Sequence, residues 1–160
     1  MKKYKKYVIT LSQVFPVTHI RKGEPTGFKD AFLQGQNDVF DGKHHTIRAN
    51  YDLWKKRFEE IDAGKACLCI RQWSGKPYRS KQVEIAVLTK ENGIGIQKLC
   101  FHEDGDGKKS LILFTIDGKP DSRLFLAKND GLSLEDWEEW FKGYDLSKPL
   151  AIIHFTKFRY

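Results

Sequence analysis

The sequence has few cysteines and no long apolar run. Its 160 residues include three cysteines, a sparse and odd set that argues against a secreted disulfide scaffold and favours reduced thiols. Apolar runs such as 111–114 and 150–153 are far shorter than the roughly 20 residues of a membrane-spanning helix. The start, MKKYKKYVITLS, lacks the apolar stretch and cleavage site of a secretory signal. We therefore expect a cytoplasmic protein with no membrane partner.

The chain is instead rich in charged and aromatic residues. Hydrophobic residues make up 40% and aromatic residues 13% of the sequence, enough for one packed domain over residues 1–160. The net charge is +7, and residues 1–100 carry 19 Lys and Arg against 10 Asp and Glu, whereas residues 101–160 carry 9 against 11. This asymmetry favours a polyanionic partner such as RNA. The alternative is that the charge serves only solubility.

Apolar spacing predicts an α+β fold with a mixed sheet curled into a barrel and about three flanking helices. Strands are predicted at 4–11, 66–72, 83–90, 94–102, 109–116 and 150–158, with a short strand after 43, and helices at 50–63, 120–127 and 133–141. The Asn92-Gly93 pair predicts a hairpin within a three-strand meander over 83–116. Residues 12–42, rich in Gly, Pro and polar side chains, predict a long loop-rich insertion with room for a short helix near 28–33.

The run GKHHTIR, residues 42–48, combines a base, a nucleophile and a second cation. Lys43 and Thr46 are three residues apart, so a regular strand would place them on opposite faces, and they converge only if the chain bends at Lys43 or the residues after it, which Gly42 permits. A converged pair could act as base and nucleophile if burial lowers the lysine pKa. The alternative is a solvated lysine at a basic strand end. Arg48 could clamp a phosphate or carbonyl, or form a surface ion pair.

This run resembles the signature of the ASCH domain, a small PUA-like β-barrel, in which Lys-x-x-Thr-Ile-Arg follows a glycine. The likeness extends from about residue 38 onward. It includes LAKNDGLSLEDWEEWF and AIIHF, which are similar to the family's closing helix-turn-helix and last strand. The resemblance implies a cleft for RNA or a modified base.

Some ASCH members are amidohydrolases that remove the acetyl group from acetylcytidine nucleosides. They use a Thr nucleophile, a Lys that activates it, and a Glu that donates and accepts protons. By position, the resemblance implies Lys43 and Thr46 for the first two, and Asp130 where the family has Glu. Aspartate is one methylene shorter, which limits its reach to a leaving amine. Alternatively, Asn129-Asp130-Gly131 is an ordinary turn at a helix end. No cofactor is expected.

The segment RQWSGKPYRSKQ, residues 71–82, alternates cations with aromatic rings. Cations contact phosphates and rings stack on unpaired bases, as in proteins that bind single-stranded RNA. Together with Arg48, the predicted nucleic-acid-binding residues are Arg71, Trp73, Lys76, Tyr78, Arg79 and Lys81. The alternative is a loop whose two rings pack on the barrel.

No metal site is predicted. Cys67 and Cys69 lack a second pair of ligands, and His44 and His45, being adjacent, point to opposite sides of a strand. Three functions remain open: a module that binds RNA or a modified nucleoside in a basic cleft, an amidohydrolase that deacylates N4-acylated cytidine, and a protein-interaction module. The oligomeric state is not indicated.

Overall fold

The structure is a computed structural model and describes residues 3–160. This part of the chain contains seven strands and four α-helices. In chain order they are β1 (Lys5–Leu11), α1 (Phe28–Asn37), β2 (His45–Arg48), α2 (Tyr51–Asp62), β3 (Ala66–Trp73), β4 (Gln82–Leu88), β5 (Gly95–Glu103), β6 (Lys109–Ile116), α3 (Arg123–Asn129), α4 (Leu134–Phe141) and β7 (Leu150–His154). None of these helices is both long and apolar enough to cross a membrane.

The strands lie in two sheets of different topology. β1 runs parallel to β3, which pairs with β4 in the antiparallel sense. The second sheet has the order β2-β7-β5-β6 and is antiparallel throughout. β2 is therefore an edge strand, with Thr46 opposite Ile153 of β7. The predicted α+β class is confirmed, but over residues 3–160 the two sheets are not closed into a barrel.

The predicted three-strand meander is wrong at its first turn. β4 pairs with β3, so the strands on either side of Asn92 and Gly93 lie in different sheets. The Thr89 amide donates to Asn92 Oδ1 at 2.8 Å, which caps a single 3-10 turn, and Gly93 leaves it at φ 78°. This turn redirects the chain instead of folding it back. The hairpin partner of β4 lies before it, where the Ser74 amide donates to the Lys81 carbonyl at 2.9 Å.

Polar side chains fix where three helices begin. Asn50, Ser122 and Ser133 each accept a hydrogen bond from the backbone amide three residues later, the usual N-cap geometry. α2 and α4 therefore lie within two residues of their predicted bounds. α3 starts later than the predicted 120–127, because Ser122 is its cap.

The two sheets and the helices enclose one apolar core. α2 packs across β3, β5 and β7, burying Trp54, Phe58 and Ile61. Within the predicted insertion, α1 is longer than the 28–33 expected. It buries Phe28 and Phe32 because the apolar side chains recur at helical spacing.

Candidate active site

A cavity of about 290 Å³ opens beside the edge strand β2. Its walls come from β2, the loop after β1, the start of α1, the turn between α3 and α4, and the end of α4. Lys43, Thr46, Arg48 and Asp130 all line it, so the structure brings together the three residues of the predicted catalytic set and one predicted phosphate clamp. Trp140 adds an aromatic wall.

Glycines allow the backbone before β2 to approach its neighbours closely. Gly42 adopts φ 95°, and a Cβ there would collide with the backbone nitrogen of Gly35 in α1. A Cβ on Gly35 would lie 2.6 Å from the carbonyl oxygen of Lys43, whose amide donates to the Ala31 carbonyl at 2.8 Å. Lys43 and His44 lie outside β2, which begins at His45, so strand alternation does not apply between Lys43 and Thr46 and both can line one cavity.

Lys43 is buried, with 1% of its surface exposed. Its Nζ donates to the backbone carbonyl of Asp130 at 2.5 Å and to Asp130 Oδ1 at 2.9 Å. It also lies 4.2 Å from the ring centre of Phe28, and its stem crosses Gly131, where a Cβ would lie 3.2 Å from Lys43 Cβ. The alternative of a solvated lysine is therefore wrong, and the shorter aspartate side chain does reach the lysine.

Burial and charge act against each other on this pair. Burial lowers the pKa of Lys43, with Arg48 adding to the effect, and the Asp130 carboxylate only partly offsets it. Burial alone would raise the pKa of Asp130, but the Lys43 ammonium and the His45 ring together hold it below its usual range. The shift of the lysine pKa favours the neutral amine, whereas the shift of the aspartate pKa favours the carboxylate.

Thr46 and Arg48 face the cavity from the edge strand. Thr46 is 6% exposed, and its hydroxyl makes no hydrogen bond to any of residues 3–160, so the oxygen is available to a ligand. Arg48 donates from Nη2 to the Thr10 carbonyl at 2.8 Å. The surface ion pair considered for Arg48 is absent among the residues that the structure describes. Burial lowers the pKa of Arg48, yet arginine stays charged in proteins.

A hydrogen-bonded chain behind Asp130 was not predicted from sequence. Asn129 Nδ2 donates to the Tyr160 hydroxyl at 3.1 Å, and this hydroxyl lies 2.6 Å from His45 Nε2. In the tautomer in which the hydroxyl donates to Nε2, the His45 proton lies on Nδ1, 3.7 Å from Asp130 Oδ1. Burial lowers the pKa of His45, which keeps the ring neutral. His45 therefore directs a polar N–H towards the carboxylate.

The predicted nucleic-acid-binding loop lies beside the cavity. A neighbouring groove of about 570 Å³ is lined by Trp73, Tyr78 and Arg48, and Arg48 also lines the cavity. The two rings lie 5.2 Å apart, and Tyr78 is 89% exposed at φ 63°. Tyr78 is therefore not packed on the sheet, contrary to the alternative for that ring.

The charges of this loop are mostly unpaired. Arg71 lies 4.0 Å from Glu84. Lys76, Arg79 and Lys81 are exposed and have no carboxylate partner within residues 3–160. The loop thus presents three free cations around two rings.

The cysteines and histidines do not assemble a metal centre. Cys67 and Cys69 are buried, and burial raises the pKa of the Cys69 thiol to about 11. Across residues 3–160 no three His, Cys, Asp or Glu side chains are placed to share a metal ion.

Comparisons with protein families, curated proteins and solved structures found no match to this chain.

Proposed function

We propose that the protein is an amidohydrolase that removes an acyl group from the N4 amine of a cytidine. The observation that carries the proposal is the buried contact between Lys43 and Asp130 in the cavity that Thr46 also lines. A lysine used only to bind a polyanion would be exposed at the surface. The cavity, about 290 Å³, lies at the small end of ligand pockets, about 300–1,000 Å³, and therefore favours a single nucleoside.

The buried pair supplies both a base and an acid. The mechanism uses the neutral pair, amine and carboxylic acid: burial favours this form because it disfavours both charges, whereas the contacts that lower the pKa of Asp130 oppose it. When the proton moves from Lys43 Nζ to Asp130 Oδ1, the lysine becomes a neutral amine able to accept a proton. The aspartic acid can then donate one. The His45 N–H stabilises the carboxylate when it re-forms.

The reaction proceeds in two balanced steps. Thr46 Oγ1 attacks the acyl carbon, its proton passes to Lys43 Nζ, the C–N bond breaks, and the N4 amine leaves with the proton of Asp130. An ester on Thr46 and the ion pair remain. Water then attacks the ester after the pair has returned to its neutral form, giving its proton to Lys43, while Thr46 Oγ1 takes one from Asp130. The net change is amide and water to amine and carboxylic acid.

The proposal is tested by following N4-acetylcytidine with liquid chromatography. The wild type is expected to form cytidine, Thr46→Ala to lose at least a hundredfold in kcat/KM, and Thr46→Ser to retain part of the activity because it keeps the hydroxyl. The half-buried Thr89→Ala serves as the matched control, since Thr89 does not line the cavity. Full activity in Thr46→Ala would remove the nucleophile and with it the proposal.

We also propose that the fold is the PUA-like one of the ASCH domain. Support comes from the GKHHTIR run at the start of β2, the capped α3–α4 pair and the last strand β7, which occur in the order that the resemblance implies. A solved ASCH-domain structure whose strand order differs from β1-β3-β4 and β2-β7-β5-β6 would speak against this.

Binding of single-stranded RNA is a second candidate, favoured by the groove beside the cavity. Trp73 and Tyr78 provide stacking surfaces, and each stacked base contributes about 1–3 kcal/mol. The three unpaired cations could contact phosphates. We expect binding of an unmodified cytidine-rich oligonucleotide to weaken steeply with salt and to fall about tenfold or more in Tyr78→Ala. Binding that does not depend on salt, or no binding, would count against this candidate. A wild type that neither deacylated N4-acetylcytidine nor bound RNA would leave the protein-interaction alternative.

A further inference from the structure

The cavity wall contains the guanidinium of Arg48, which has no carboxylate partner among residues 3–160. Arg48 is satisfied only in part: Nη2 donates to the Thr10 carbonyl, while Nε is buried and makes no hydrogen bond to residues 3–160. The Asp130 carboxylate attracts the Arg48 guanidinium without forming an ion pair with it. Its Oδ1 instead accepts a hydrogen bond from Lys43. Buried guanidinium groups are normally paired, since an isolated buried charge is costly.

The charges that line the cavity do not balance. Lys43 and Asp130 neutralise each other, whether as an ion pair or as a neutral pair, and Arg48 adds one positive charge. Tyr144, the remaining titratable side chain in the wall, offers a hydroxyl and no positive charge. His45 lies behind Asp130 and is neutral, so it does not change this balance. The cavity lining therefore carries one net positive charge, which comes from Arg48.

We propose that the substrate carries an oxyanion that pairs with Arg48 in this cavity. The inference rests on the proposed function and narrows its substrate class from a neutral nucleoside to an anionic one. Two sources share this chemistry: a carboxylate at the far end of the acyl group, or a phosphate on the nucleoside. The N–H groups of a guanidinium match the oxygens of either oxyanion, and Nη1, which is not buried as Nε is, makes no hydrogen bond to residues 3–160.

Two matched substrate pairs distinguish the sources. The first compares N4-acetylcytidine with its 5′-monophosphate, and the second compares N4-acetylcytidine with N4-succinylcytidine. In the wild type, kcat/KM is expected to be at least tenfold higher for the charged member of one pair, and which pair responds identifies the source. Equal values within both pairs would overturn the proposal.

Variants of Arg48 assign the preference to its guanidinium. Arg48→Gln should bring the charged-to-neutral ratio of kcat/KM close to one, whereas Arg48→Lys, which keeps the charge but loses the guanidinium, should retain part of it. Arg123→Gln, which removes a partly exposed arginine paired with Glu138, should leave the ratio unchanged. A ratio that persists in Arg48→Gln would place the anion elsewhere and refute the assignment.

A binding arm separates this proposal from the catalytic one. Calorimetric titration compares cytidine with cytidine 5′-monophosphate, and N4-acetylcytidine with N4-succinylcytidine, in wild type and Arg48→Gln. The anion site would be supported if the wild type bound a charged compound more tightly than its neutral counterpart and Arg48→Gln lost this preference. That result would hold even if no compound were hydrolysed, and then only the amidohydrolase proposal would fail. Binding that ignores the charge would overturn the anion site even in an active enzyme.

Discussion

Removing one partner of the buried Lys43–Asp130 pair should destabilise the protein strongly, whereas removing both should not. Lys43→Met leaves the Asp130 carboxylate without its cation, and Asp130→Asn leaves a buried ammonium with only a carbonyl and an amide as partners. Lys43 and Asp130 are 1% and 3% exposed, so little water can replace the missing group. The double variant leaves neither charge behind.

The size of the effect follows from the contacts. Hydrogen bonds to charged groups contribute about 1.5–3 kcal/mol each. Breaking a buried ion pair by removing one partner costs about 3–5 kcal/mol. Two such bonds join Lys43 to Asp130, and Asp130→Asn keeps the one to the backbone carbonyl. We therefore expect each single variant to lose about 3–5 kcal/mol, and the double variant to lose much less than the sum, a coupling of several kcal/mol.

Urea unfolding followed by circular dichroism at pH 7 measures these differences. The slope with urea should stay constant across the four proteins, so that midpoints report stability alone. Because the pKa of Asp130 is lowered in the fold, its contribution is present above the unfolded-state value, about 3.9, and is lost as the pH falls through the folded-state pKa. Single losses below about 1 kcal/mol, typical of surface pairs, or additive losses would refute the reasoning.

Three other changes probe the surroundings of the site. Gly131→Ala, at φ 81° with its Cβ against Lys43, should cost more stability than Gly118→Ala, at φ 82° in open space, and unfolding midpoints that match would contradict the contact. Burial lowers the pKa of His154 to about 2, so the unfolded state binds the proton first and stability falls with pH below the unfolded-state value of 6.5. Between pH 7.5 and 5.5 this group accounts for about 1.4 kcal/mol, which His154→Gln should remove from the pH dependence. Tyr160→Phe leaves two buried polar partners unpaired and should cost about 1–3 kcal/mol by urea unfolding, whereas no loss would exclude the hydrogen-bonded chain.

Local signals predicted the elements whose formation depends on neighbours in sequence. The caps at Asn50 and Ser133 and the helical spacing that follows them specify α2 and α4 without tertiary information. The prediction of a β4–β5 hairpin is wrong because Asn92-Gly93 is also suited to end a 3-10 turn. Only tertiary pairing decides which strands become partners. Barrel closure depends on such pairing as well.

The sequence predicted only part of the candidate site. The spacing of Lys43 and Thr46 showed that they could meet if the chain bent at Lys43 or the residues after it, and in the structure Lys43 and His44 lie outside β2. The burial of Lys43 was not foreseeable, because it depends on α1 approaching through Gly35. The contribution of Tyr160 was also missed, since its partner His45 lies 115 residues away and no local pattern links the two.

Detection of the acyl group on Thr46 tests the central claim most directly. Wild type mixed with N4-acetylcytidine is quenched rapidly, the peptides are analysed by mass spectrometry, and the cytidine formed is measured in the same sample. The account predicts one acetyl group on the peptide containing Thr46, with cytidine released, and neither in Thr46→Ala. Cytidine released at an undiminished rate by Thr46→Ala, or an acetyl group carried on another residue, would contradict it.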